Sequence, residues 1–193
     1  MLTTPCILFA GGKSSRMGED KALLPFGPYS TLTQYQYTRL TKIFLHVYIS
    51  TKDPSKFNFP ANFIIDMPNL QASYAPTVGF ISAFETLCTE TLFALSVDSP
   101  FVGEDVINQL LYEDSIHFDA TVAQTQQGVQ AMCGVYHRSL LNSFKKMQKT
   151  NNHKLNFLLK DSKTQYVFFE NQQQFLNMNH PYEYTQALQL LNS

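Results

Sequence analysis

Four short apolar runs in the first half of the chain each stop at a small or acidic residue, and this punctuation narrows the possible folds sharply. Cys6-Ile7-Leu8-Phe9 runs into Ala10-Gly11-Gly12, Val47-Tyr48-Ile49 into Ser50, Phe63-Ile64-Ile65 into Asp66, and Leu92-Phe93-Ala94-Leu95-Ser96-Val97 into Asp98. Runs this short and this apolar read as buried strands. Segments of helical period lie between them. Leu32, Tyr35, Leu40, Ile43 and Phe44 predict a helix over 31–44, with Thr31 and Gln34 as a capping box. Val78, Phe80, Ile81, Phe84, Leu87 and Cys88 predict a second helix, opened by Ala75-Pro76-Thr77, and a third is expected over about 103–112. Alternating strands and helices imply βαβ units, right-handed crossovers and a mostly parallel sheet. Farther along, strands are expected at 119–123, 132–136 and 165–169, and helices at 138–148, 153–160 and 182–191. The Gln/Asn patches at 124–130 and 171–174 read as solvated loops. At 193 residues the chain suits one domain with a sizeable core.

In an open parallel sheet the carboxyl ends of the strands lie along one edge, where ligands bind. Gly11-Gly12, Ser50, Asp66 and Asp98 therefore face one crevice. The stretch from Ala10 to Lys21 places adjacent glycines, two serines and Gly18 among the cations Lys13, Arg16 and Lys21. Glycines let the main chain approach an anion and turn its N–H groups toward it. Gly12-Lys13-Ser14 imitates the end of a Walker A loop, but Ile7 stands where that pattern needs its first glycine. The adjacency of Gly11 and Gly12 excludes the dinucleotide fingerprint as well. Two readings stay open: a phosphate-handling loop of another kind, or a glycine-rich surface loop with solvated cations. Asp98 in Asp98-Ser99-Pro100 is either a turn former or a ligand for Mg²⁺, which takes a carboxylate or two together with phosphates and waters. Asp66 is open between metal neighbour, ribose contact and turn residue.

A formal net charge of −1 excludes nucleic-acid binding by general electrostatics, so any anion must meet a local cluster of cations. Cys6, Cys88 and Cys133 lie far apart with no metal-ligand spacing and read as reduced core thiols of a cytoplasmic protein. No apolar run approaches the 18 residues of a membrane span, and none of the histidines has a paired spacing.

Phe9-Ala10-Gly11-Gly12-x-Ser14-x-Arg16-Met17-Gly18-x-Asp20-Lys21 resembles the [LF]-A-G-G-x-S-x-R-M-G-x-D-K signature of nucleotidyltransferases built on a Rossmann-like sheet. Within that group the chain most resembles the MobA family, the molybdenum cofactor guanylyltransferases. Pro76-x-x-Gly79, Val97-Asp98-Ser99-Pro100-Phe101, Cys133-Gly134-Val135-Tyr136 and Asn177-Met178-Asn179-His180-Pro181 resemble its later motifs in the same order. The likeness thus covers nearly the whole chain. Two positions depart from the pattern: Ser50 stands where the family usually has Asn, and Gln130-Ala131 where it often has His-Pro.

The resemblance implies a three-layer α/β/α sandwich forming a single nucleotidyltransferase domain over 1–193. Its nucleotide-binding half would cover about 1–110 and its acceptor-binding half about 111–193. It implies transfer of GMP from GTP to molybdopterin or Mo-molybdopterin, with release of pyrophosphate and with Mg²⁺ as cofactor. The acceptor already carries a phosphate oxyanion, so catalysis would be positioning and charge neutralisation. Arg16, Lys21 and Asp98 would be catalytic, with Asp98 holding the metal. Phe9, Ala10, Gly11, Gly12, Lys21, Ser50, Asp66 and Asp98 would bind GTP, and Asn177 and Asn179 would lie toward the acceptor. Transient contact with cofactor-delivery proteins or molybdoenzyme chaperones is implied too. A cytidylyl- or sugar-phosphate transferase and a non-catalytic nucleotide-binding adaptor are the alternatives on the same fold.

Overall fold

A computed structural model describes residues 1–11, 18–66 and 76–191. Seven strands form one sheet: β1 (Cys6–Phe9), β2 (Val47–Thr51), β3 (Phe63–Ile65), β4 (Thr91–Ser96), β5 (Ala120–Thr125), β6 (Gly128–His137) and β7 (Thr164–Phe168). Their order is β3-β2-β1-β4-β6-β5-β7. Only β6 runs against its neighbours; all other pairs are parallel. Six α-helices are described: α1 (Leu32–Leu40), α2 (Pro76–Leu87), α3 (Glu104–Glu113), α4 (Leu141–Lys149), α5 (Leu155–Lys160) and α6 (Pro181–Leu191).

Strand alternation divides the core into two layers. Cys6 and Leu8 of β1, with Phe93 and Leu95 of β4, pack under α1, α3 and α6, against Leu32, Leu40, Val106, Ile107, Leu110 and Ala187. Ile7, Phe9, Leu92 and Ala94 point to the other face and pack on α2, α4 and α5, where Phe80, Phe84, Phe144 and Leu158 are buried. The outcome is the expected three-layer sandwich. Thr31 caps α1 by accepting from the Gln34 N–H, while the Gln34 side chain accepts from Ser30 rather than closing the box on Thr31. The α-helix stops at Leu40, and turns carry the chain on to the buried Phe44.

The structure corrects three expectations. The Gln-rich stretch 124–130 is not a loop: Gln124 pairs with Val129, Thr125 with Gly128, and only Gln126 and Gln127 turn. The ladder between β5 and β6 satisfies the backbone there whatever the side-chain polarity. Ser50 lies inside β2 rather than after it. Cys88 is an exposed thiol just past α2, at φ 49°, whereas Cys6 and Cys133 are buried as expected.

The order of the strands fixes where a ligand can sit. From β1 the chain proceeds outward to β2 and β3 on one side, and later to β4 on the other. The crevice outside the carboxyl ends of β1 and β4 is therefore the switch point of the sheet.

Candidate active site

Two neighbouring cavities open at this switch point. One, of about 160 Å³, is lined by Phe9, Ala10 and Gly11 at the end of β1, by Asp20, Lys21 and Ala22, and by Ser96, Val97, Asp98 and Met132. The second, of about 250 Å³, shares Ser96, Asp98 and Met132 with it and extends to Ser99, Gln130, Asn177 and Asn179. The crevice thus runs from the glycine-loop side to the C-terminal motif.

Lys21 is central to it. Asp20 caps a single 3₁₀ turn, Lys21–Leu23, by accepting from the Ala22 N–H, which aims the Lys21 side chain across the crevice. Lys21 Nζ donates to Asp98 Oδ2 at 2.6 Å and to Asn179 Oδ1 at 3.0 Å. The two charged side chains are each only 16% exposed. Asp98 follows Val97 in the turn after β4, and its carbonyl accepts from the Met178 N–H, so the C-terminal motif is pinned to the same segment. Asn177 Oδ1 accepts from Ser99 Oγ at 2.6 Å, and its Nδ2 lies 3.4 Å from Gln130 Oε1. Glu183 of α6 accepts from the Asn179 and His180 N–H groups and holds the motif from its far side.

A second cluster lies across β1. Ser50 donates to Asp66 Oδ1 at 2.7 Å, and both residues are buried. Burial raises the Asp66 carboxyl above the usual range, against the pull of Ser50, Lys52 and Lys56. Gly11 permits this carboxylate to approach the loop: a Cβ there would sit 3.3 Å from Asp66 Oδ2. Gly79 does the same for helix packing, because a Cβ would meet Ser50 Oγ at 2.5 Å and the Phe9 ring at 2.7 Å. The glycine three residues into α2 thus lets the helix lie directly on the strand ends.

Lys21, Asp98, Asn177 and Asn179 therefore converge, and Ser50 joins Asp66 beside Gly11. Phe9 ends β1 with its ring 4.7 Å from that of Phe80. Gly12 and Arg16, and with them Lys13, lie outside the described residues. Sequence reasoning missed Met132 and Lys56. Met132 reaches the crevice because Ala131, Met132 and Cys133 bulge from the β5 register between the pairs Ala123–Gln130 and Val122–Gly134. Lys56 ties the ends of the glycine loop together, 2.8 Å from Asp20 Oδ2 and 3.4 Å from the Ala10 carbonyl. A bulge and a tie across thirty-six positions leave no periodic signal. No histidine lines the crevice among the described residues; His137 pairs with Asp114 at the opposite edge of the sheet.

The arrangement offers a cation, a carboxylate and amide groups around a cleft that a glycine loop enters, which suits binding and transfer of a phosphoryl group rather than covalent catalysis. No buried thiol serves as a nucleophile, since burial raises Cys133 to about 12. A molybdenum cofactor guanylyltransferase of Campylobacter jejuni subsp. doylei is 38% identical over 93% of this chain and 92% of its own length. Its counterpart in Helicobacter pylori strain G27 is 34% identical over 97% and 92%. The fold matches that of molybdopterin-guanine dinucleotide biosynthesis protein A from Archaeoglobus fulgidus with a TM-score of 0.83, at 16% identity, covering 98% of this chain and 99% of that one. With residues 6–166 matching the family described as the MobA-like NTP transferase domain, the chain belongs to that family.

Proposed function

We propose that the chain is a molybdenum cofactor guanylyltransferase, moving GMP from GTP to the terminal phosphate of molybdopterin or Mo-molybdopterin and releasing pyrophosphate. One observation carries the geometry of this reading. Lys21 from the glycine loop, Asp98 from the end of β4 and Asn179 from the C-terminal motif form one hydrogen-bonded cluster at the switch point. The relatives at 38% and 34% identity that bear this name support the choice of reaction.

In this reading Phe9, Ala10, Gly11 and Gly12 line the nucleoside side, and Asp66, held by Ser50, accepts from the nucleoside. Arg16 and Lys21 neutralise the triphosphate, one as a planar fork and the other as a point charge. Asn177 and Asn179 face the acceptor, so the chain divides at about residue 110 into nucleotide and acceptor halves. The Asp98 carboxylate would hold Mg²⁺. Among the described residues no three His, Cys, Asp or Glu side chains form a cage for a metal. A lone carboxylate fits an ion that also takes phosphate oxygens and keeps waters. Bound there, it would supply charge neutralisation for the α-phosphate and the leaving pyrophosphate. The chain's own part is to hold the acceptor phosphate in line with the α-phosphorus and to keep cationic and amide donors around the developing charge.

No described helix is long and apolar enough to cross a membrane. A cytoplasmic location belongs to the proposal because GTP is an intracellular metabolite, as does transient delivery of the product to chaperones or molybdoenzymes.

The test is a thermal-shift panel with GTP, CTP and UTP, each with Mg²⁺, followed by pyrophosphate release from GTP with and without molybdopterin. A ligand at a hundredfold excess over Kd stabilises by about 2.7 kcal/mol, roughly 5–11 °C in a chain of this size. Stabilisation by GTP alone and pyrophosphate release that requires molybdopterin are expected. An equal response to CTP would reassign the base, and no release would sink the transferase reading.

A further inference from the structure

Beside Thr33, which donates to the Ala22 carbonyl, α1 turns two long polar side chains inward where a helix of this kind ordinarily buries leucines. Gln36 is fully buried. Its Nε2 donates to the Val97 carbonyl at 3.1 Å, and its Oε1 accepts from Arg39 Nε at 2.6 Å. Arg39 Nη1 donates in turn to the Val102 carbonyl at 2.7 Å. Arg39 as a residue is half-buried, yet its Nη2 is sealed from solvent with no hydrogen-bond partner. None of the ion pairs among the described residues includes Arg39. Burial lowers its pKa from the ordinary arginine value, the expected direction for a cation drawn into the core.

This is an expensive way to fill space. A desolvated charge without a carboxylate costs several kcal/mol, and an apolar side chain of similar volume is often neutral or better. The two carbonyls it serves give the reason for keeping it. Val97 and Val102 bracket Asp98, Ser99, Pro100 and Phe101, the segment between β4 and α3. Val97 N–H donates to the Phe9 carbonyl and Ser99 N–H to that of Ser96, while the Asp98 carbonyl accepts from Met178. With Gln36 on one end and Arg39 on the other, the segment is fixed at both limits by a single bonded pair.

We propose that Gln36 and Arg39 are positioning residues that hold the 97–102 segment, and through it the Asp98 carboxylate, in register with Lys21. They touch neither nucleotide nor reacting atoms. The proposal rests on the functional reading above only in taking Asp98 as part of the site.

Arg39→Met keeps the bulk and removes both the charge and the bond to Val102. Gln36→Glu keeps the acceptor for Arg39 and gives it a counter-charge, but removes the donor to Val97. Both should melt within a few degrees of the parent. Their kcat should fall roughly 10–100-fold with KM for GTP changed less than about threefold, the scale of a misplaced catalytic group. Arg39→Lys should not rescue, because an ammonium cannot reproduce the fork that spans Gln36 and Val102. Hydrogen exchange at the Val97, Ser99 and Met178 amides should quicken about tenfold or more. A folded variant with unchanged kcat and unchanged exchange overturns the proposal. So does a lowered melting temperature with full turnover per folded molecule, the mark of a purely structural role. If Arg39→Met does not fold, Gln36→Glu decides. A wild-type protein that transfers no GMP would refute the functional reading instead, and the exchange measurements would still report on the grip.

Discussion

The bond between Lys21 and Asp98 leads to a prediction about additivity that separates a cooperating pair from two independent helpers. Nζ and Oδ2 are 2.6 Å apart, and each side chain is shielded to 16% exposure. Removing either partner therefore takes that counter-charge from the other and changes its position. Asp98→Ala leaves the Lys21 ammonium drawn toward Asn179, and Lys21→Ala leaves a carboxylate with its charge uncompensated. Losing one preorganised electrostatic partner costs about 10²–10³ in turnover, or roughly 2.7–4 kcal/mol. Independent contributions would multiply, giving about 10⁴–10⁶ for the double substitution. Groups that act as a unit do not multiply. The Lys21→Ala, Asp98→Ala double variant should therefore lie within about tenfold of the weaker single variant. The assay is pyrophosphate release at saturating GTP and acceptor, with melting temperatures recorded to show that all three variants are folded. A double variant at the product of the two single effects would refute the idea of a coupled pair. Near-normal turnover in folded Asp98→Ala would remove the metal-ligand assignment as well.

Three further outcomes follow from the geometry. Burial raises the Asp66 carboxyl, so the folded chain holds that proton more tightly than the unfolded one, and the group's contribution to stability declines as pH climbs from the ordinary aspartate range through the raised value. Asp66→Asn should thus melt above the parent at neutral pH, with the gap closing in acid, and should raise KM for GTP about tenfold for loss of a charged acceptor; a lower melting temperature at neutral pH would contradict this. Gly79→Ala inserts a methyl 2.5 Å from Ser50 Oγ and 2.7 Å from Phe9, and overpacking of this kind costs about 1–3 kcal/mol, which calorimetry should record as a drop of roughly 2–12 °C. Lys56→Met cuts the tie between Asp20 and Ala10 at a partly exposed site, so the unfolding free energy from denaturant titration should move by less than about 1 kcal/mol; KM for GTP should rise several-fold, and an unchanged KM would make Lys56 a surface ion pair only.

The residues proposed to do chemistry were legible in the sequence because topology alone places them at the crevice. Lys21, Asp66 and Asp98 follow strands or the loop after one, and a parallel sheet brings strand ends to one edge whatever the packing beneath. The same logic fails for residues defined by contacts across the fold. Gln124 to Gln130 look like a solvated loop because composition registers their amides, while the pairing of Gln124 with Val129 and Thr125 with Gly128 is a property of the neighbouring strands. Met132 depends on a bulge, and no period announces one. Nor does the apolar period of α1 announce that Arg39 Nη1 lies 2.7 Å from the Val102 carbonyl. Asn177 and Asn179 lie between these cases. Their motif was legible, yet their separate tasks were not: Asn179 binds Lys21 while Asn177 binds Ser99. The alternation of N-x-N turns the intervening Met178 into the core, where it is 1% exposed, and its N–H holds the Asp98 carbonyl. One buried residue thereby pins both asparagines to the segment after β4, so the C-terminal motif and the Asp98 carboxylate are held at this crevice as one bonded unit.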